Sequence, residues 1–592
     1  MIHKLVLTCV TLFLVVLFIN SMTFQEPRAD LTYVNPSDIH TLDPARISWV
    51  QDFRVALNIW EGLTTWHPRS TEPIEGAALF PPEISPDART YRFTLRDDAR
   101  WSSGEPVTAQ DFVRGWRRAM EPGSAGDYAF LFNDHIVGAA EYVRWRHDAI
   151  GRLTSLDRGG RPAEAEAFFD EHAVELEARF AQVGARAVNE RTLEVTLSGP
   201  CPYFLDLVAL PVFLPCHPSI ELLRERHRGR PLTPAGLVVY DPQWTKPDYR
   251  RLGYPGLITN GPYQLRDWKF KRRARLAANP HYRRADTFAC RTVEMLVYDN
   301  LNAALMAYEA GYVDFLPELS VPYDHELARL SATGLRRDIH QCPVLATYFL
   351  NFNCVSETVN GRPNPFVDPR VRRAFSLGLD RETLVKRVRA RGDRVARSFV
   401  PPETISGYAP PAGLLCDPGE ARRLLSEAGF PGGRGLPNII VLSTQSDERM
   451  CQAVARMWEN ELGVKVELQT KETKTFAEDK ARRRFFVARG NWYADYNDPT
   501  TFLDCLATGN GNNDSGYSNP EYDDLLRRAE EAADAASRAA VLARAEALIV
   551  ERDCPILPIL HYTEPIAIQP YVTGLSPNAR LWFPFRYARI ER

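Results

Sequence analysis

Strand-like and helix-like segments alternate from Leu31 to the end of the chain, and this alternation restricts the fold more than any other feature. Segments 90–95 and 192–197 place apolar residues at every second position, which is typical of half-buried β-strands. Several helix starts place a capping side chain directly before a proline that suits the first helical turn: Asp368-Pro369, Asp417-Pro418 and Asn519-Pro520. The sequence therefore predicts a mixed α/β body.

The second half of the chain also predicts crossover connections between strands. A helix that carries Leu424 and Leu425 can end at Gly429, and a helix over 453–462 can end at Gly463. A strand is predicted directly afterwards, over 464–468. Helix followed by strand in this order indicates crossover units.

One predicted helix, over 164–183, is amphipathic. Its apolar residues fall on one stripe: Phe169, Ala173, Leu176, Phe180 and Val183. We expect an insertion helix that packs on its own domain, with a docking surface as the alternative.

Length and charge narrow the class of protein. The 592 residues suffice for about four domain-sized units. Lys and Arg total 72 against 75 for Asp and Glu, and these charges are interspersed, which disfavours a nucleic-acid surface. With 45% hydrophobic residues, the chain has the composition of a folded globular protein.

The one long apolar run, residues 5–19, follows His3 and Lys4 and indicates an export signal or a short anchor. It is shorter than the roughly 20 residues that cross a bilayer comfortably. Cleavage and retention both remain open, and in either case we expect the remaining body to lie outside the cytoplasmic membrane.

Motifs for metal, redox or hydrolytic chemistry are missing from the sequence. The ten cysteines form no CxxC pair, and their spacing does not reveal a disulfide pattern. The twelve histidines lack metal-ligand spacing, and HExxH, GxSxG and P-loop motifs do not occur. The glycine-rich segment 509–513 is predicted to be a loop rather than a phosphate cradle.

Segment 487–499, VARGNWYADYNDP, is a strand-like run that breaks into a turn rich in aromatic residues and carboxylates. Asp495 and Asp498 could act as paired acids, or an aspartate in this aromatic setting could receive a ligand ammonium group. A capped turn with stacked core aromatics is the third interpretation. The residues alone leave all three open.

This segment resembles the ligand-binding signature of periplasmic oligopeptide-binding proteins, the extracytoplasmic solute-binding receptors (family 5, peptide/nickel type) of ABC importers. Further landmarks of that family recur in order over residues 31–590: LDP at 42–44, WEGL at 60–63, YRFTLR at 91–96, WSSGEPVTAQDF at 101–112, TNGPY at 259–263, DPRVR at 368–372, and Asn512-Asn513 with Tyr517. Their order and spacing make a chance resemblance very unlikely.

The resemblance implies a two-lobed periplasmic-binding-protein (Venus flytrap) fold with an extra third domain. Its expected divisions are a signal or anchor over 1–27, lobe I over 28–60, 190–341 and 563–592, the extra domain over 61–189 with a helical insertion near 164–183, and lobe II over 342–562. It also implies a monomeric receptor without catalysis, cofactor or metal, which binds an oligopeptide and delivers it to a membrane permease.

The resemblance also carries individual residues over to this chain. Asp495 matches the aspartate that pairs with the peptide α-ammonium group, and Lys480 stands where the family can place a basic side chain for the peptide carboxylate. The other matches are a pocket wall at Trp492, a cleft arginine at Arg489, a hinge-side turn at Asn260 and Gly261, and cleft tyrosines at Tyr128 and Tyr562.

Three departures concern the ligand. Ser48 stands where such a receptor can carry an acidic contact, Thr473 replaces an aromatic pocket wall, and Tyr493 replaces a smaller residue beside Trp492. Peptide length and side-chain preference are therefore not transferable. Two alternatives remain: the same fold binding an oligosaccharide or metal chelate, and an exported hydrolase that uses Asp495 and Asp498 as an acid/base pair.

Overall fold

The computed structural model describes residues 27–124, 126–220, 245, 256–319, 324–532 and 534–592, so the apolar run over 5–19 lies outside the described residues. The strands are β1 (Leu31–Asn35), β2 (Thr64–Trp66), β3 (Pro73–Glu75), β4 (Glu83–Ile84), β5 (Thr90–Thr94), β6 (Ala185–Asn189), β7 (Thr192–Thr196), β8 (Tyr263–Lys269), β9 (Arg273–Ala278), β10 (Thr292–Val297), β11 (Phe315–Leu316), β12 (Ile339–Phe352), β13 (Thr358–Val359), β14 (Arg362–Pro363), β15 (Arg394–Val395), β16 (Ile439–Thr444), β17 (Val466–Lys471), β18 (Val487–Tyr493), β19 (Ile556–Ile568), β20 (Val572–Thr573) and β21 (Arg589–Ile590).

The helices are α1 (Val50–Ile59), α2 (Ala109–Met120), α3 (Phe130–His135), α4 (Ala139–Arg158), α5 (Pro162–Phe180), α6 (Phe204–Leu207), α7 (Leu301–Glu309), α8 (Asp324–Ala332), α9 (Pro369–Leu377), α10 (Arg381–Thr383), α11 (Pro418–Glu427), α12 (Glu448–Leu462), α13 (Thr473–Ala481), α14 (Thr500–Leu503), α15 (Pro520–Glu530) and α16 (Ala535–Ala547). Among the described residues, no helix combines the length and the apolar character that a membrane crossing requires.

One sheet of eleven strands runs through the molecule in the order β17-β16-β18-β12-β19-β11-β1-β10-β9-β8, with β15 paired to β19. Its two longest strands, β12 and β19, have 14 and 13 residues and pair antiparallel to each other. Cys342 and Ile566 pack in the same apolar core as β1 and β10, whereas Tyr348 and Leu560 pack in a second core with β16. The two strands therefore connect two lobes, which confirms the mixed α/β, two-lobed fold.

The register between β12 and β19 breaks where the chain passes from one core to the other. Cys342 pairs with Glu564 and Pro343 with Thr563, and the next pair is Thr347 with His561. Residues 344–346 therefore form no pair with β19 at this boundary.

A separate four-stranded sheet, β4-β5-β7-β6, accompanies the first lobe. The predicted strands over 90–95 and 192–197 appear as β5 and β7, and helix α2 beside them starts with Asp111 accepting the backbone N–H of Thr108 at 2.9 Å. Apolar residues of β5 and β7 belong to the same continuous core as β1. The small sheet is therefore packed onto the first lobe by shared apolar burial.

The predicted amphipathic helix forms as α5, and it ends at Phe180, three residues earlier than expected. Phe180 contacts Tyr142 of α4 with ring centroids 5.3 Å apart, and Leu176 and Val183 are buried. The helix therefore packs on its own domain, as expected.

The second lobe contains the predicted crossover unit. Strands β16 and β17 are parallel and are joined by α12, which ends at Gly463 with a positive φ of 68°. The strand begins at Val466 rather than Val464. The predicted caps are present, since Asp368, Asp417 and Asn519 each accept a backbone N–H in the first turn of their helix.

Two further expectations concern loops and cysteines. Segment 509–513 is a loop, in which the Asn513 side chain donates to the backbone oxygens of Leu506, Ala507 and Tyr517. The nine cysteines within the described ranges are unbridged, and seven of them are buried. They act as small apolar residues, except for half-buried Cys354 and exposed Cys416.

Candidate ligand-binding site

A cavity of about 400 Å³ lies between the two lobes and takes residues from both. The first lobe contributes α1 and the segment before it, together with Glu318 and residues 579–582, while the second contributes 493–495. Trp66 and Tyr128, from the region that contains the four-stranded sheet, also line the cavity. Val344, Leu345 and Glu564, at the crossover of β12 and β19, complete the wall. A ligand in this cavity would touch both lobes and the strands that join them.

Asp495 lies two residues after the end of β18 and lines this cavity. Its backbone N–H donates to Thr501 Oγ1 at 3.1 Å, which fixes the turn, and its carboxylate has no cationic partner in the described ranges. Burial raises the pKa of Asp495 to about 6. The site thus holds a carboxylate whose ionised form lacks a counter-charge.

Tyr128 lies close to Asp495 across the cavity. Burial raises the pKa of Tyr128 to about 12, and the negative charge of Asp495 is the second cause. The cleft tyrosine and the signature aspartate therefore face one space, although they are 367 residues apart in sequence.

Asp498 differs from Asp495 because its carboxylate already has a cationic partner and a hydroxyl donor. Arg538 donates to both of its oxygens, at 2.6 and 2.8 Å, and Thr500 Oγ1 donates at 2.7 Å. Both side chains of the Asp498–Arg538 pair are about nine-tenths buried. Asp498 therefore stabilises the turn and is not free to work as a general acid or base beside Asp495.

The turn that carries Asp495 also contacts the first lobe. The Tyr496 ring stacks on Tyr203 with centroids 4.2 Å apart, and the Asn497 backbone N–H donates to Asp206 Oδ2 at 2.9 Å. Asp206 is held in place by Trp66 Nε1, which donates to its other oxygen at 2.6 Å, and by Arg580. These contacts hold Asp495 at the boundary between the lobes.

A second cavity, of about 340 Å³, is lined by four arginines: Arg387, Arg389, Arg391 and Arg449. It adjoins the first cavity through Tyr562, whose ring stacks on Tyr493 with centroids 5.3 Å apart. We call it the arginine cavity.

Two of these arginines are neutralised by neighbouring carboxylates. Arg389 pairs with Asp393 at 3.0 Å, and Arg391 with Asp324 at 2.5 Å. Arg387 and Arg449 are exposed and form no ion pair with any described carboxylate. The arginine cavity therefore offers positive charge to an anionic group.

The predicted site residues divide into those that line a cavity and those that do not. Asp495, Tyr493 and Tyr128 line the first cavity, and Tyr562 lines the arginine cavity. Arg489 pairs at 3.2 Å with Asp447, which lines the arginine cavity.

The other four predicted residues, like Arg489 itself, lie outside both linings. Trp492 packs on the core that contains Leu345, and Lys480 pairs with Asp514 at 2.7 Å. The Asn260 side chain bonds both backbone groups of Glu61, at 2.8 and 3.0 Å. A Cβ at Gly261 would lie 2.4 Å from the backbone of Ile59, so this position needs glycine for close chain packing.

Sequence reasoning missed a charged group in the first cavity that consists of Arg54, Glu318 and Glu564. These residues are hundreds of positions apart and share no motif. One signal was available, because Glu564 is the only acidic residue in the largely buried strand β19. A buried carboxylate with a perturbed pKa is a candidate for a functional site.

The chain is similar to a family of known proteins over most of its length. The family model described as bacterial extracellular solute-binding proteins, family 5 Middle, matches residues 65–514. The periplasmic oligopeptide-binding protein OppA of Escherichia coli (strain K12) is 30% identical over 555 residues, which cover 92% of this chain and 89% of that protein.

Two solved structures are also similar to this chain. The unliganded open form of the periplasmic murein tripeptide-binding protein MppA is similar with a TM-score of 0.74 and 27% identity, over 95% of this chain and 98% of that one. OppA of Haemophilus influenzae, in complex with the peptide RPPGFSPFR, is similar with a TM-score of 0.65 and 25% identity, over 96% of this chain and 100% of that one.

Proposed function

We propose, because the chain belongs to the bacterial extracellular solute-binding proteins, family 5, that it captures oligopeptides between its two lobes and delivers them to the permease of an ABC transporter. The observation that carries this proposal is Asp495, a carboxylate in the inter-lobe cavity without a cationic partner in the described structure. A buried charge of this kind is stabilised by an opposite charge brought by the ligand.

The α-ammonium group of a peptide supplies that charge. A receptor that accepts many sequences has to recognise what all peptides share, namely their termini and main-chain amides. Side chains can then lie in hydrated pockets, where ordered water replaces dedicated contacts. Asp495 binds the α-ammonium group of the amino terminus, while Tyr128 and Tyr493 form the cavity walls beside Asp495.

The peptide carboxylate is directed toward the arginine cavity. This cavity adjoins the first through the stacked Tyr493 and Tyr562 rings, and its exposed Arg387 and Arg449 carry charge that no described carboxylate neutralises. Arg489 adds a cation behind Asp447. Opposite charges in two adjoining cavities orient a peptide in one direction.

The two crossing strands support the proposed domain division. We assign 28–60, 190–341 and 563–592 to lobe I, 61–189 to the extra domain and 342–562 to lobe II. The change of core partner between Cys342 and Tyr348, and between Leu560 and Ile566, supports the boundaries near 342 and 563. Residues 1–27 act as the export signal or anchor, so the body works outside the cytoplasm.

Capture depends on lobe closure. A ligand that contacts both lobes binds the closed form better than the open form and thereby shifts the equilibrium between them. The closed, loaded form is what the permease receives.

Calorimetric titration tests this function. The body from residue 28 onward is partially unfolded and refolded to remove co-purified ligand, then titrated with a pool of tri- to pentapeptides and with the same pool acetylated at its amino termini. Binding of the free pool alone is the expected result. Equal binding of both pools would contradict the role of the amino terminus, and absence of binding would contradict peptide capture.

A further inference from the structure

Glu564 is a second carboxylate in the cavity that holds Asp495. It lies on β19 opposite Cys342, directly before the break in register. Its Oε1 atom is buried and lacks a hydrogen-bond partner, while the backbone N–H of Leu319 supplies a hydrogen bond to the carboxylate. No arginine, lysine or histidine in the described ranges forms an ion pair with it. An oxygen buried without a partner marks a place where a donor is missing.

The charges around Glu564 do not neutralise it. Glu318 lines the same cavity and pairs with Arg54 at 3.3 Å, so the Arg54 charge is directed to Glu318. Arg391, the other nearby cation, pairs with Asp324 at 2.5 Å. Burial raises the pKa of Glu564 to about 7, Glu318 raises it further, and the lowering effects of Arg391 and Arg54 are smaller.

Arg580, the remaining cation in the cavity wall, also has a carboxylate partner of its own. Arg580 donates to Asp206, which lies outside the lining. Asp495 and Glu564 are therefore the two carboxylates of this cavity without a counter-charge. Both are close to Tyr493, since Asp495 follows it by two residues and the charge of Glu564 is the second cause, after burial, that raises the pKa of Tyr493 to about 12.

We propose that Glu564, with Glu318 beside it, is a specificity-determining residue that selects peptides with a lysine or arginine side chain at one of the first two positions. This proposal rests on the proposed function, because Asp495 takes the α-ammonium group and Glu564 receives the second cation. A side-chain ammonium or guanidinium group can donate to Oε1 and provide the missing charge. Ser48 lines the same cavity, so Glu564 and Glu318 supply the acidic character that position 48 lacks.

Paired tripeptides test the proposal. Lys-Ala-Ala and Ala-Lys-Ala are compared with the same peptides carrying norleucine, which has an aliphatic side chain of similar length without the charge. We expect the wild-type protein to bind at least one lysine peptide about tenfold more tightly than its norleucine partner, as a charge-assisted hydrogen bond at a desolvated site allows.

Two variants assign the preference to Glu564. Glu564→Gln should reduce the lysine preference to less than about threefold while norleucine peptides still bind. Glu478→Gln removes the same charge from an exposed position on α13, outside both cavities, and should leave the preference unchanged.

The outcomes separate the two proposals. If wild-type protein binds lysine and norleucine peptides equally, the selectivity proposal is wrong, while the proposal of peptide capture is unaffected. If Glu564→Gln keeps the full preference, Glu564 is not its source. If no tripeptide binds at all, the proposed function fails first and the selectivity fails with it. The wild-type comparison is decisive even if Glu564→Gln does not fold, which its thermal unfolding curve would reveal.

Discussion

Tyr203 and Tyr496 stack face to face across the lobe boundary, with ring centroids 4.2 Å apart and planes inclined by 5°. Tyr203 belongs to the first lobe, whereas Tyr496 follows Asp495 on the turn after β18. The stack therefore fixes the turn that carries Asp495 relative to the first lobe.

Loss of this stack should weaken peptide binding moderately. An aromatic pair contributes about 0.5–1.5 kcal/mol beyond its buried area, so Tyr496→Leu should raise the Kd for a tripeptide by roughly 2- to 12-fold. Tyr496→Phe keeps the ring and should bind like the wild type. Tyr312→Leu, at an exposed position, is the control. Isothermal titration calorimetry measures all three, and equal Kd values for Tyr496→Leu and wild type would contradict the role of the stack.

Asp495→Asn should have a much larger effect. Removing one partner of a buried ion pair costs about 3–5 kcal/mol, which corresponds to a loss of roughly 10² to 10³ in affinity or more. The folded protein should persist, because the Asp495 carboxylate forms no ion pair within the described structure. Asp286→Asn, at an exposed site of the first lobe, removes an equal charge and should bind normally. A change of less than about threefold in Asp495→Asn would refute the assignment.

Peptide affinity should depend on pH through the same carboxylate. Burial raises the pKa of Asp495 to about 6, and the proposed binding of the ammonium group requires its ionised form, so protonation should compete with the ligand. Affinity for a peptide with uncharged side chains should fall below pH 6, by up to about tenfold per unit. It should also fall above about pH 8, where the peptide amine loses its proton. Titrations from pH 4.5 to 9 measure the profile, and Asp495→Asn should lack the acidic limb.

The buried pair of Asp498 and Arg538 should matter for stability. Arg538→Met leaves the Asp498 carboxylate buried without its partner, at a cost of about 3–5 kcal/mol in the free energy of unfolding. Arg527→Met removes an exposed arginine from α15 and should hardly change the melting temperature. Thermal and urea unfolding followed by circular dichroism compare the two variants. Similar melting temperatures would show that the buried pair is not stabilising the second lobe.

Local features were predictable from sequence because their causes are local. A cap such as Asp417 bonds a backbone N–H three residues away, and Gly463 ends its helix by its own backbone conformation. Asp495 could be singled out for the same reason, since the motif around it is contiguous, and its role in ligand binding stays a prediction. The fold followed from several such motifs in a fixed order.

Contacts between distant segments were not predictable in this way. Glu564 lies 246 residues after Glu318 and 510 after Arg54, and only the pairing of β19 with its neighbours brings the three to one cavity. Lys480 has the charge expected for a carboxylate ligand, but the fold places it within 2.7 Å of Asp514. Side-chain type indicates what a residue can bind, whereas tertiary structure decides which partner is near.

Between Pro343 and Thr347, strand β12 loses its pairing with β19, while Ala346 remains paired with Tyr493 of β18. A second shift in register follows between Tyr348 and Phe349, so the ladder is irregular over the stretch where the strands pass from one lobe to the other. Val344 and Leu345 of this stretch also form part of the cavity wall. A peptide in the cavity would therefore contact the irregular stretch of the strands that join the lobes, which would couple its binding directly to the relative position of the lobes.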